Sequence, residues 1–310
     1  MLFEKGSHRC FNRTMRKQLI PAILVTASLL LTSCNLAKHP EFTLGTSVEV
    51  TGRQGVCSEG DYYWVSGSKT LAKYDRDWNL IEINEDPFEG YETEVNHIGD
   101  IDVYEGNLYV GAELFVDGVG TNIQVAVYDA ETLKFKEAFP FEPASGQLEC
   151  SGITVDPDTK TVWMCSWVGG DSGIYLYAYD LETGDYKGKF EMEDPPLLIQ
   201  GISYHDGYIY ISADDGEAGL DAPDHLYRTK IGWWEFFNMK DGLGTCTVQR
   251  VKAFDDVIRQ GEIEGLTFDE QTGDLLLLYN RGAIIVDGIK TGLYEGYDRE
   301  ISEVYVYKVS

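Results

Sequence analysis

The stretch Gln200-Gly201-Ile202-Ser203-Tyr204-His205-Asp206-Gly207-Tyr208-Ile209-Tyr210-Ile211 decides how the rest of the chain is read. Apolar residues flank an Asp-Gly pair on both sides, the pattern of two short strands joined by a tight turn. The pattern recurs as Gly99-Asp100-Ile101-Asp102-Val103-Tyr104-Glu105-Gly106-Asn107-Leu108-Tyr109-Val110. It returns in Ser151-Gly152-Ile153-Thr154-Val155-Asp156-Pro157 and in Glu264-Gly265-Leu266-Thr267-Phe268-Asp269, which continues through Thr272-Gly273 into Leu275-Leu276-Leu277-Leu278-Tyr279. A weaker copy is Gln54-Gly55-Val56-Cys57, leading to Tyr62-Tyr63-Trp64-Val65.

A further strand follows each hairpin, and three times it ends in Tyr-Asp: Leu71 to Asp75, Val125 to Asp129 and Tyr175 to Asp180. Leu226-Tyr227-Arg228 and Val304-Tyr305-Val306-Tyr307 are the counterparts in the last two units. Aligned positions fall at 55, 100, 152, 201 and 265, with spacings of 45, 52, 49 and 64. Units of roughly 40–50 residues and four strands have the spacing of β-propeller blades. Helical periodicity is nearly absent, Ala253 to Ile258 being the one short candidate. The expected fold is all-β: one propeller domain over residues 42–310, with five blades of four-stranded antiparallel sheets. A sixth blade is the alternative if the long 213–262 region hides a poorly matching unit. Phe42 to Val50 is expected to supply the outer strand of the fifth blade, closing the ring and removing an exposed edge.

The first 33 residues read as an address rather than as fold. Arg13, Arg16 and Lys17 precede an apolar run from Leu19 to Leu31, which is shorter than the about 20 apolar residues a membrane span needs. Leu31-Thr32-Ser33-Cys34 then resembles a bacterial lipobox. That resemblance implies cleavage before Cys34 and acylation of its thiol, with palmitate-type chains tethering an extracytoplasmic protein to the cell envelope through residues 34–41. Asn35 in place of an aspartate points to the outer membrane in a Gram-negative source; in a Gram-positive one the anchor would hold the protein on the outer face of the plasma membrane. Met15 starts a more typical signal than Met1, so residues 1–14 read as an upstream-start artefact.

The full chain has 310 residues, 52 acids and 25 bases, a net charge of −27. Residues 1–33 hold one of those acids and five of the bases, so the mature chain carries 51 and 20, a net of −31. Such acidity argues against nucleic acid, which needs surplus Lys and Arg, and against docking on anionic lipid. It favours solubility, a monomer and attraction of cations. Export permits disulfides. Cys150 and Cys165 flank the turn at Asp156-Pro157-Asp158, so a bridge between them is one reading. Two buried free thiols packing as small hydrophobes is the other and the preferred one.

In a propeller the residues leading into the inner strands meet around the central channel on one face. Gln54, Gly99, Ser151, Gln200 and Glu264 occupy that position. His97, Asp100, Glu149 and Glu262 stand around them, and adjoining loops add Glu113, Trp167, Asp214, Asp215, Asn280 and Arg281. Glu264 can ligate a cation or act as a general base; alternatively it accepts hydrogen bonds from neighbouring strand amides. His97 is a candidate acid or base, histidine being the side chain suited to proton transfer near neutral pH, or a satisfied structural group. Arg281 either clamps an anionic group or neutralises Glu262 or Glu264. Trp167 either stacks on a ligand ring or plugs the space between blades. Asp214 and Asp215, with Glu217, Asp221 and Asp224, form an oxygen-rich loop without EF-hand spacing, so calcium bound by Asp214, Asp215 and Glu264 is an open reading. No phosphate loop, zincin motif or nucleophile elbow is present.

Across residues 50–309 the Gln/Glu-Gly-Ile/Leu strands, Tyr-rich partners and Tyr-Asp-x-x-Thr turns resemble two groups of bacterial propellers. These are the five-bladed glutamine cyclotransferase-like and the six-bladed gluconolactonase- and esterase-like proteins, within the broader WD40/YVTN-like repeat architecture. Blade count favours the first; the Glu264-Gly265-Leu266-Thr267-Phe268-Asp269 segment looks most like the second, in which a Glu before Gly typically binds a divalent cation. The resemblance implies binding of a small molecule, peptide or protein at the channel mouth. Alternatively it implies an envelope enzyme, a glutaminyl cyclase or metal-dependent hydrolase using Glu264 with His97 or Glu262.

Overall fold

A computed structural model describes residues 40–140, 142–170, 172–286 and 289–310. Cys34 and the signal-like segment lie outside the described residues. Within them, five antiparallel sheets form the blades of a propeller. Blade 1 comprises Gly55–Glu59, Tyr62–Gly67, Thr70–Asp75 and Leu80–Asn84. Blade 2 comprises His97–Tyr104, Asn107–Val116, Val119–Asp129 and Phe135–Ala138. Blade 3 is built from Gly152–Asp156, Thr161–Cys165, Tyr175–Asp180 and Tyr186–Glu193, and blade 4 from Ile199–His205, Tyr208–Ala213, His225–Thr229 and Gln249–Ala253. Blade 5 joins Gly261–Phe268, Leu275–Arg281 and Ile301–Val309 to Phe42–Glu49 from the other end of the chain. That last pairing runs from Phe42 opposite Val309 to Glu49 opposite Glu303, so the ring closes as expected, with the N-terminal strand as the outer strand of blade 5.

The expected alternation is what the packing uses. Each blade turns one face to each neighbour, and apolar layers fill the wedges between them. Trp163, Leu176 and Phe190 of blade 3 meet Ile202, Ile209 and Ile211 of blade 4; Tyr210 of blade 4 meets Leu275, Leu277 and Tyr307 of blade 5. The Tyr-Asp-x-x-Thr motif is a turn that bonds to itself. Asp129 Oδ1 accepts both the amide and the hydroxyl of Thr132 at 2.8 Å, and Asp180 and Asp269 do the same for the amides two and three residues on. Part of the acidity is therefore turn chemistry.

The 213–262 region decides for five blades and places its helix elsewhere than expected. It holds no sixth blade: Leu243–Thr247 instead adds to the outer edge of blade 3 as a parallel fifth strand, Lys189 opposite Leu243 through Glu193 opposite Thr247. Ala253 to Ile258 is not helical either; the α-helix among the described residues is Trp233–Phe237, started by Glu235, whose carboxylate accepts the Gly232 amide at 2.8 Å. No described helix is long and apolar enough to cross a membrane.

The Cys150–Cys165 bridge does not form. Both thiols are free and buried, as are Cys57 and Cys246. Cys150 packs in the layer between blades 2 and 3, whereas Cys165 packs between blades 3 and 4, so the two side chains leave their sheet on opposite faces.

Candidate functional site at the channel mouth

The inner strands all begin on one face, here called the top. The bottom carries the turns that join inner to second strands. A cavity of about 190 Å³ opens at the top of the axis, lined by Arg53, Gln54, Ser68, His97, Phe115, Glu149, Ser151, Trp167, Leu198, Gln200, Asp214, Glu262, Glu264 and Ile285. Of the residues expected at the mouth, Gln54, Ser151, Gln200, Glu264, His97, Glu149, Glu262, Trp167 and Asp214 meet there.

Glu264 is buried within the Gly261–Phe268 strand, immediately before Gly265. Its Oε1 accepts Asn280 Nδ2 at 2.6 Å and faces Arg53 Nη2 at 3.4 Å. Arg53 Nη2 also donates to Glu262 Oε2 at 2.8 Å. Burial pushes the Glu264 pKa well above the carboxylate range, with Arg53 opposing and the charges of Glu262 and Asp214 adding. The same contest leaves Glu262 at about 7. Asp214 is pushed to about 9 by burial and then by Asp224 and Glu262. On the blade 3 side, Glu149 accepts the Trp167 backbone N–H at 3.0 Å; burial and then the charge of Glu113 drive its pKa upward. His97 Nδ1 is 3.1 Å from Glu113 Oε1, and the other oxygen of Glu113 is buried without a partner.

Three expected residues go elsewhere. Asp100 does not line the cavity; it is buried on the axis. Its Oδ1 accepts the Ile101 amide at 2.9 Å and its Oδ2 the Ile202 amide at 3.2 Å. Arg281 turns to the third strand of its own blade, where Nε donates to Glu303 Oε2 at 2.6 Å, so it neither clamps a ligand at the mouth nor pairs with Glu262 or Glu264. Asp215 is taken by His225 Nδ1 at 2.8 Å and by the Tyr227 hydroxyl. The cation that faces Glu262 and Glu264 is Arg53, which the sequence reading missed. Its signal was present: it immediately precedes Gln54, the leading residue of blade 1.

These residues do not fit a divalent cation. Glu264 and Glu262 already address a guanidinium, Asp215 is engaged on blade 4, and no group of three or more His, Cys, Asp or Glu among the described residues is arranged to hold a metal. What the mouth does offer is four carboxyl groups, Glu149, Asp214, Glu262 and Glu264, held around one small volume with one guanidinium, beside the rings of Trp167 and Phe115.

Fold and cavity together define a five-bladed β-propeller with an acidic channel mouth. Among solved structures, the glutaminyl cyclase of Myxococcus xanthus is similar, with a TM-score of 0.52 at 9% identity over 87% of this chain and 96% of that one. The PQQ-bound aldose sugar dehydrogenase of Streptomyces coelicolor gives 0.45 at 12% identity, covering 87% and 98%. A gluconolactonase of Xanthomonas campestris gives 0.43 at 11%, covering 79% and 68%. At these identities the likeness is one of fold. No family model and no curated protein matches the chain.

Proposed function

We propose that the protein is an extracytoplasmic, lipid-anchored propeller that binds a small molecule or the end of a peptide at its channel mouth through a cationic amine on the ligand. One observation carries the binding part: Glu149, Asp214, Glu262 and Glu264 crowd one cavity with Arg53 as its one lining cation. Burial and neighbouring carboxyl charges raise the pKa of all four, that of Glu262 to about 7 and that of Asp214 to about 9. An entering ammonium favours the ionised form of these groups and pairs with it, and in a desolvated site that attraction is worth more than in water. Trp167 and Phe115 offer ring faces for cation–π or apolar contact beside it. The anchor part rests on Leu31-Thr32-Ser33-Cys34 and its flanks.

Calorimetry with a short peptide amide, free and N-acetylated, tests the binding. Heat of binding for the free amine, lost on acetylation and lost in Glu264→Gln, is the expected result. Equal binding of the acetylated peptide, or undiminished binding by the variant, rejects the reading.

One observation favours a second reading, an envelope enzyme of the cyclase type. Glu262 at about 7 can exchange a proton near neutral pH beside Glu264, as a general base requires. His97, on blade 2 and paired with Glu113, is on a different blade from that pair. Turnover of an N-terminal glutaminyl peptide, abolished by Glu262→Gln, supports this reading; binding without turnover leaves the first. The metal-dependent form lacks a fitting donor set.

A further inference from the structure

A second feature lies on the opposite face. In Gly232-Trp233-Trp234-Glu235-Phe236-Phe237 four of the five helical positions are aromatic. Phe236 turns inward and packs on Trp163 and Phe190, ring centroids 5.5 and 5.1 Å away, which pins the helix to the body. Trp233 leans on the bottom turn of blade 3, its indole N–H donating to the Asp158 carbonyl at 3.0 Å. The remaining surface is bare: Trp233 is 61%, Trp234 71% and Phe237 81% exposed, and the last two stack at 6.2 Å. The other exposed large hydrophobics among the described residues are aliphatic. Three adjoining exposed aromatics on one short helix mark an interaction surface.

Topology places this helix on the bottom, because it follows the end of the third strand of blade 4 at Thr229. The chain joins the propeller on that same face. Glu41 and Ser310 exchange backbone hydrogen bonds of 3.1 Å at the end of the third strand of blade 5. Six residues lie between Cys34 and Glu41, so the two are about 25 Å apart at most when the chain is fully extended.

We propose that Trp233, Trp234 and Phe237 are an interfacial wedge that seats the bottom face on a lipid bilayer and turns the acidic cavity away from it. Indole rings, with an apolar body and a polar N–H, settle at the boundary between head groups and acyl chains. A tether of that length keeps the bottom face within reach of the surface, and the wedge then fixes which side faces down. With a net charge of −31 on the mature chain, the matching surface is zwitterionic, since anionic head groups repel it. The orientation rests on the lipid-anchor reading of Cys34; the wedge itself does not.

The test uses the full chain on phosphatidylcholine vesicles with brominated acyl chains, reading quenching of tryptophan emission. Quenching is expected, most of it lost in Trp233→Phe/Trp234→Phe and kept in Trp167→Phe. Loss in Trp167→Phe alone means that the top face meets the lipid and overturns the proposal, as does vesicle-bound protein without quenching. Sedimentation of a dimer that Trp234→Ser/Phe237→Ser converts to monomer assigns the aromatics to a second copy and also overturns it. Mass spectrometry of the peptide bearing Cys34 reports the anchor separately. An unmodified Cys34 rejects the tether, and the wedge is then judged by whether the unanchored chain still partitions onto the same vesicles, with Trp234→Ser/Phe237→Ser several-fold weaker.

Discussion

The Asp100 carboxyl on blade 2 accepts the backbone N–H of Ile202 on blade 4, Oδ2 to N 3.2 Å, across the propeller axis. Blade 2 carries this acid where the other four blades have Gly55, Gly152, Gly201 and Gly265. The glycines make room for it: a Cβ at Gly55 or Gly265 would fall 2.3 Å from Asp100 Oδ1. One side chain thus plugs the channel on the axis. Burial drives its pKa far upward against the pull of the Ile101 and Ile202 amides, because the charged form is disfavoured away from water.

Replacing the plug should cost stability according to how many amides it orphans. Asp100→Asn keeps one acceptor and is expected to lose about 1 kcal/mol, whereas Asp100→Leu strands both buried amides and should lose about 3 kcal/mol. Urea unfolding midpoints measure this. A leucine variant as stable as the parent shows that the axis does not need the acceptor.

The mouth carboxyls fix the sign of a pH dependence. Glu262 and Asp214 ionise in the unfolded chain near 4.5 and 3.8 but hold their protons to about 7 and about 9 when folded. Within that window the folded state binds more protons, so unfolding free energy falls as pH rises. The ligand-free protein is expected to be most stable in mild acid and to lose stability progressively through neutrality. Glu262→Gln should flatten the lower part of the slope and Asp214→Asn the upper part. Thermal melts across the window check this; stability that rises toward pH 8 contradicts the buried cluster.

How much of this was legible follows from which physics writes itself into local sequence. Strand alternation and the Asp turns are local, so five hairpins, the three Tyr-Asp strand ends and the Phe42–Glu49 closure could be read directly. Leading residues of inner strands occupy a fixed place in a propeller, and so Glu264, Gln200, Ser151 and Gln54 could be placed at the mouth. Side-chain direction is not local. Arg281 and Asp215 sit on second strands and their connecting loops, where the choice between channel and flank depends on partners such as Glu303, His225 and Tyr227. The 230–247 insertion was opaque for a related reason. Leu243–Thr247 is a strand only because blade 3 offers an edge, and Trp233–Phe237 is held by the packing of half-buried Phe236 on Trp163 and Phe190 rather than by helical periodicity.

The four described cysteines should behave as buried thiols. Burial raises the pKa of each, with that of Cys246 reaching about 11, and thiolates are the reactive form. A thiol reagent is expected to leave Cys57, Cys150, Cys165 and Cys246 unmodified in the native protein and to label all four in denaturant. Reducing agent should leave the melting temperature unchanged. A lower melting temperature on reduction would reveal a bridge involving one of them.

Arg53 separates two accounts of the mouth. Its guanidinium donates to Glu262 at 2.8 Å, faces Glu264 at 3.4 Å, and brings Nε to 3.2 Å from Glu300 Oε1. Nε and Glu300 Oε1 are nonetheless left without a hydrogen bond, so the three acids are only partly satisfied by one cation. Arg53→Met should destabilise the fold by on the order of 2 kcal/mol at neutral pH, because it leaves buried carboxylates without a counter-charge. The loss should shrink in acid, where protonation removes the need for one. Arg53→Lys should fall between, since a point charge cannot serve three carboxylates as a fork does. Ligand binding then discriminates. If the cavity takes an amine, removing its resident cation removes a competitor, and Arg53→Met should bind the free-amine peptide more tightly than the parent. If Arg53 instead anchors an anionic ligand, amine affinity stays level while binding of a carboxylate ligand disappears.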